Sequence, residues 1–273
     1  MNKPYFPISL FLLLFISCSE ESPSSEQSSS SGGSSSSYNS YEGTLCEGFA
    51  EGTQIEHHGK MKEQFCDVRD GKKYVYVEIG SQTWMAENLN YNASRSRCFG
   101  QDGMVCNEET YEDYTLTPEE VQTNCETYGR LYNWAAAMAN VCPSGWHLPS
   151  HAEWNTLIKF IDPDYNIDDK GDVYNFIYSV VAGKLKAAPG WNRGSSYSKA
   201  GTDDYGFTAL PGGHGFETGV FCYAGSKGAW WSATEIEDDT RFAYARGMSY
   251  NSNDAYDNSG QKVWYYSVRC LRN

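Results

Sequence analysis

Basic residues are scarce in this chain. Over 273 residues, 21 Lys and Arg stand against 35 Asp and Glu, giving a formal charge of −14. No basic stripe survives that balance, so nucleic acid and anionic lipid headgroups are not expected partners. Long apolar runs are also missing. The longest, Tyr5 to Ile16, falls short of the roughly 20 residues a spanning helix needs. No two cysteines stand as C-x-x-C, which removes a zinc ribbon and a thioredoxin-like redox site. A G-x-S-x-G elbow, a P-loop and a dinucleotide fingerprint are absent as well. His147 and His151 are four apart, but Pro149 lies between them and the motif is not H-E-x-x-H, so no zinc pair is expected there.

What is present begins with export. The Tyr5–Ile16 run, with Lys3 before it, has the length of a signal-peptide core. It leads into Phe15-Ile16-Ser17-Cys18, which resembles the lipobox of bacterial lipoproteins. Small Ser17 admits the peptidase, and the Cys18 thiol takes the diacylglycerol. The resemblance implies a signal peptide over 1–17 and lipidation at Cys18, and Ser19 behind it implies sorting to the outer membrane. Residues 18–43 are dominated by Ser, Gly and Glu, too poor in apolar surface to offset ordering entropy, and read as a flexible tether. The expected setting is the cell envelope, with a membrane anchor at Cys18 and display at the surface. Removing Lys3 with the signal takes the charge to −15, a solubilising acidity.

Eight cysteines follow Cys18: Cys46, Cys66, Cys98, Cys106, Cys125, Cys142, Cys222 and Cys270. An even number in an exported chain reads as a disulfide framework whose connectivity the count leaves open. Tyr74–Ile79 is strand-like, the Asp70-Gly71 step before it is a turn, and Gln82–Ala86 is its return strand. Pro118-Glu119-Glu120 opens a helix. Leu131, Trp134, Ala135 and Met138 share a helical face, and Ser150 with Glu153 forms a capping box before Trp154, Leu157, Ile158 and Ile161. A third helical stretch is expected over Val173–Ala188. Later strands are expected at Phe207–Leu210, Ala229–Ala233, Phe242–Met248 and Tyr265–Leu271. Helices in the middle with strands at both ends describe an α+β domain with paired termini.

Several segments, in order, resemble the Fibrobacter succinogenes major paralogous domain, an exported family. They are DVRDG at 67–71 with YVYVEIG after it, QTWMAENLNY at 82–91, YGRLYNW at 128–134, CPSGWHLPS at 142–150, GFTALPGG at 206–213, WWSATE at 230–235 and SVRC at 267–270. The domain then spans 67–273, with 44–66 as an N-terminal extension. HLPSHAEW at 147–154 is also similar to a signature of the formylglycine-generating-enzyme group. That likeness implies a C-type-lectin-like fold, with helices flanking small antiparallel sheets. It implies a Cys142–Cys270 disulfide first and Cys98–Cys125 second. Cys46 with Cys66, and Cys106 with Cys222, are what then remains.

Each candidate chemistry meets this chain differently. Oxidase chemistry of the formylglycine-generating kind needs two copper-binding thiolates, and the late cysteines Cys222 and Cys270 are more simply disulfide partners. No catalytic residue or metal ligand is assigned. Calcium (Ca2+) is the one cofactor left open, at the Asn251–Asn258 loop, which is dense in oxygen ligands but lacks EF-hand spacing. Aromatics crowd the C-terminal half: Trp191, Tyr197, Tyr205, Tyr223, Trp230, Trp231, Tyr250 and Tyr256. Neighbouring strand residues face opposite sides, so one of Trp230 and Trp231 is expected in the core and the other on a ligand face. Asp203 and Asp204 are the polar candidates beside them. The expected function is a non-enzymatic recognition or adhesion module for a polysaccharide or surface protein. The alternatives are a formylglycine-generating-type oxidase and a structural envelope component without a soluble ligand.

Overall fold

The computed structural model describes residues 45–106, 112–164, 180–191 and 199–273. The signal, Cys18 and the tether lie outside the described residues, as do residues 173–179 of the expected Val173–Ala188 helix, whose described part holds a short helix at Val181–Leu185. In chain order come β1 (Thr53–His57), β2 (Lys60–Cys66), β3 (Lys73–Ile79), β4 (Gln82–Met85), β5 (Ser96–Arg97) and β6 (Met104–Val105). Then follow α1 (Pro118–Tyr128), β7 (Leu131–Asn133), α2 (Trp134–Met138), β8 (Trp146–His147), α3 (His151–Ile161) and α4 (Val181–Leu185). The C-terminal part is all strand: β9 (Gly212–Gly215), β10 (Val220–Ala224), β11 (Lys227–Glu235), β12 (Phe242–Ser249), β13 (Tyr256–Gln261), β14 (Tyr265–Ser267) and β15 (Leu271–Arg272). The domain is mostly β, with few helices and four disulfides. Among the described residues no helix is long and apolar enough to cross a membrane.

Two sheets carry the structure. The six-stranded one is ordered β1-β2-β3-β4-β15-β8 and is antiparallel throughout. The nine-stranded one runs β13-β12-β11-β14-β9-β10-β6, with β7 and β5 attached through β14, and mixes parallel with antiparallel pairs. Early and late strands meet at Leu271, which pairs with Trp84 on one side and His147 on the other. Period two explains β3: Tyr74 and Tyr76 enter one buried cluster, while Ile79, with Val77 beside it, enters another. Both faces of β3 are covered, so its sequence is a nearly unbroken β-branched and aromatic run.

Both expected helix starts are present. Thr117 caps α1 and closes a capping box with Glu120, and Ser150 does the same for α3 with Glu153. Each cap supplies an acceptor to an otherwise orphaned first-turn N–H, worth about 1 kcal/mol. The α3 stripe Trp154, Leu157, Ile158 and Ile161 is buried as its spacing requires. Trp154 packs on Trp84 with ring centroids 4.6 Å apart, and both lie against Phe207.

Three expectations are corrected. Leu131 does not share a helix with Met138: Leu131–Asn133 is strand β7, paired with β14 and β5. Asn133 then caps the short α2 by accepting from Ala136 N, so Ala136 and Ala137 are buried and Met138 is 43% exposed. Phe207–Leu210 is not a strand. Thr208 has φ +54°, and its N–H goes to the Asp203 carboxylate rather than a ladder, leaving one isolated bridge from Ala209 to Lys186. Finally, Tyr265–Leu271 splits into β14 and β15 because the chain crosses there from one sheet to the other. Ser267 pairs with Leu131 and Trp230, and Leu271 with Trp84.

The disulfides join Cys46–Cys66, Cys98–Cys125, Cys106–Cys222 and Cys142–Cys270. The last closes a sequence separation of 128 residues. In the chain-entropy model a loop of that order adds about 4–5 kcal/mol.

Candidate functional site

Trp230 and Trp231 are both fully buried, so neither offers a ring to a ligand. The reason is topological. β11 lies inside the nine-stranded sheet, and each face of that sheet is covered by its own cluster. Alternation sends Trp230 toward Trp84, Trp154 and Phe207, and Trp231 toward Tyr132 and Tyr266. Both indoles are satisfied internally: Trp230 Nε1 donates to Asn88 Oδ1 at 2.8 Å, and Trp231 Nε1 to the Tyr132 carbonyl at 2.7 Å.

Asp203 is buried too and has a structural partner set. Its two carboxylate oxygens accept from Thr208 N and Thr208 Oγ1, each at 2.7 Å. Thr208 Oγ1 also accepts from the ammonium of Lys62, which the β1–β2 hairpin delivers from the N-terminal extension. Lys62 donates in addition to His57 Nδ1 at 3.1 Å, so that ring's Nε2 carries the hydrogen facing Glu87 Oε1 at 3.5 Å. Burial drives the Lys62 ammonium down to about 8, with Asp203 pulling the other way. Burial works to raise the Glu87 carboxyl, but hydrogen bonds from His57 and Val75 N outweigh it and hold the group below its ordinary value. Asp204 is exposed, and its carbonyl accepts from Lys60 Nζ at 3.4 Å. The line Glu87–His57–Lys62–Thr208–Asp203 thus locks the hairpin onto the domain beside a cleft of about 460 Å³.

Sequence reasoning missed Lys62 and Arg269, because a lysine in a polar hairpin and an arginine in a strand run look solvated. Arg269 is fully buried and donates to Asn88 Oδ1 and to the Phe207 and Thr208 carbonyls.

Partly exposed rings lie elsewhere on the nine-stranded sheet. His214 on β9 packs against Phe216 at 4.9 Å and Tyr223 at 5.1 Å between centroids. Phe216 packs against Trp264 at 5.3 Å. These four rings are continuous with the core, since His214 reaches Tyr266 at 5.8 Å and Tyr266 reaches Trp231 at 4.4 Å. Tyr223 holds φ +72°, an uncommon conformation for an aromatic residue, and Lys227 Nζ sits 3.8 Å over its ring. Burial, helped by Lys227, pushes His214 down to about 4, so the imidazole is neutral at neutral pH and behaves as another flat ring. The arrangement can stack planar or CH-rich faces while Lys227 supplies a hydrogen-bond donor. A sequence signal for it exists: His214-Gly215-Phe216 and Trp264-Tyr265-Tyr266 alternate, and period two puts each pair on one side. Of the aromatics expected to mark a ligand face, Tyr223 is brought here.

Two side-chain oxygens of the Asn251–Asn258 loop are engaged within the protein: Asn251 Oδ1 accepts from Ser249 Oγ and Asp254 Oδ2 from Ser252 Oγ. The Ser252 carbonyl of the loop accepts from the buried Lys186 ammonium (2.8 Å), which also donates to the carbonyls of Lys199 (2.7 Å) and Ser249 (3.1 Å) outside it. Among the described residues no group of three or more His, Cys, Asp or Glu could hold a metal. Copper chemistry lacks its donors as well, because Cys222 and Cys270 are bonded to Cys106 and Cys142.

No curated protein and no solved structure matches the chain. A family model does, over residues 77–272, and it covers β4, the four described helices and every described strand of the nine-stranded sheet. The chain belongs to the Fibrobacter succinogenes major domain family.

Proposed function

We propose that this is an exported, lipid-anchored envelope protein, held at Cys18 and displayed on the outer membrane, whose domain is a non-enzymatic recognition module for glycans. The observation that carries the binding reading is the aromatic face of His214, Phe216, Tyr223 and Trp264, anchored through Tyr266 to the core. Rigid, partly exposed rings stack on sugar rings at little entropic cost, since their side chains are already ordered by packing. Four disulfides agree with an oxidising, extracytoplasmic setting. A C-type-lectin-like reading of the fold is supported by the Cys142–Cys270 bond and by β4 pairing with the C-terminal β15.

Two experiments test this. Purified protein is passed over immobilised cell-wall polysaccharides, with Trp264→Ala and Tyr223→Ala as controls; retention that both variants lose supports the face. Retention on no polysaccharide favours the structural envelope component. Separately, Cys18→Ser is fractionated from the source cells, and a variant that stays in the membrane pellet refutes the anchor.

A further inference from the structure

Arg130 is nine-tenths buried, immediately before β7, and among the described residues its guanidinium hydrogen-bonds only to uncharged groups. Nη1 donates to Cys98 Sγ at 3.2 Å and Gln101 Oε1 at 3.4 Å, with Cys125 Sγ at 3.8 Å. Nη2 donates to Asn92 Oδ1 at 2.7 Å, and Nε makes no hydrogen bond among the described residues. No carboxylate pairs with it there either, whereas Arg69, Arg241 and Arg272 each hold an acid. Arg246 and Arg269 are buried as well; Arg269 feels Asp203 and Glu87, whereas among the described residues Arg130 feels only Tyr132. Burying a cation without a counter-charge is unfavourable, and amide oxygens and sulfurs return only part of the lost hydration.

The same residue lines a cleft of about 690 Å³ that Gln101, Gly103, Met104, Thr115 and Gln122 help to wall. That is the volume range of small-ligand sites. Among the described residues that line it the one acid is Asp102, which is exposed and engaged by Gln101 Nε2 at 3.4 Å. The cleft is structurally joined to the aromatic face. Met104 pairs with Val220 on β10, the strand of Tyr223, and Gly103 packs against the Gly219 carbonyl in the turn that follows Phe216.

We propose that Arg130 anchors the carboxylate of an acidic ligand in this cleft, and that the ligand is a uronic-acid-bearing glycan. A guanidinium edge matches a carboxylate in shape and charge, and Gln101, Thr115 and Gln122 offer partners to sugar hydroxyls. That the ligand is a sugar rests on the recognition reading above; the carboxylate anchor does not.

The test titrates the full lipidated chain, in detergent, with trigalacturonate, neutral galactotriose and triglutamate. Trigalacturonate is expected to bind about tenfold or more tighter than galactotriose, the scale of one charge-assisted contact. Arg130→Gln erases that preference, and Arg130→Lys restores only part of it, with the four disulfides and the circular dichroism unchanged. Independently of any variant, the Arg130 Nε–H resonance shifts with trigalacturonate and not with galactotriose. Equal affinity for acid and neutral sugar, or a preference that survives Arg130→Gln, overturns the anchor. Triglutamate binding as tightly as trigalacturonate overturns the glycan. If Trp264→Ala leaves trigalacturonate binding untouched while Arg130→Gln abolishes it, the aromatic face fails and the anchor stands.

Discussion

Trp231 and Tyr266 pack with ring centroids 4.4 Å apart, and from Tyr266 the contacts pass through His214 to Phe216 and Trp264 at the surface. One continuous ring cluster therefore has a buried end and a solvent end. Substitution at the two ends should separate stability from binding. Trp231→Ala should cost about 3–5 kcal/mol, as a large buried ring does. Trp264→Ala, removing a partly exposed ring, should cost far less in a urea titration yet abolish polysaccharide retention.

His214 sets an acid limb on stability. Its folded pKa is about 4 against an ordinary 6.5, so as pH falls the unfolded chain takes up the proton first. The stability from keeping this ring neutral is complete above 6.5 and is lost as pH drops toward 4, about 3 kcal/mol by pH 4. His151, also pushed to about 4 by burial and Arg246, adds a second increment of the same sign. Urea midpoints between pH 7 and 4 should show a shallower decline in His214→Phe, by the slope of one proton.

Lys62 acts at the alkaline end with the same sign of slope. It titrates near 8 when folded and at 10.5 in its ordinary state, so between those values the unfolded chain holds the extra proton and stability rises with pH. Lys186, held near 8 by burial, does the same. Above 10 the buried Tyr74 and Tyr266, raised by burial, keep their protons longer in the fold and reverse the trend. Thermal unfolding of Lys62→Met from pH 7.5 to 10 should lack one proton's worth of the rise.

Arg269→Met should be among the most damaging single substitutions. It strips donors from Asn88 Oδ1 and from the Phe207 and Thr208 carbonyls, and an abandoned buried acceptor costs about 1–3 kcal/mol. Asn88 retains Trp230 Nε1, so its own loss is partial. A large drop in the urea midpoint with the four disulfides intact would confirm that the effect is local desolvation rather than misbonding.

Local signals account for much of this chain. The Ser150/Glu153 box, the α3 stripe, the DG turn before β3 and the β3–β4 hairpin each depend on residues within a few positions, so they are legible in one dimension. The resemblance to the family extended that reading to the order of the segments. Leu131 fits a helical face with Trp134, Ala135 and Met138 as well as it fits a strand; the strand neighbours β14 and β5, distant in sequence, decide for the strand.

The candidate sites depend on those distant neighbours still more. Composition, charge and the N-terminal run speak for themselves because they are sums or contiguous patterns. Which of Trp230, Trp231, Tyr223 and Trp264 meets solvent is set by how many layers cover a strand, and that follows from sheet order rather than from any residue's identity. Lys62 is buried only because Asp203 and Thr208, well over a hundred residues later, fold to receive it. Among the described residues Arg130 has no acid partner, because the fold places amides and sulfurs against its guanidinium. Burial and charge pairing are properties of the packed whole, and there tertiary structure had the deciding role.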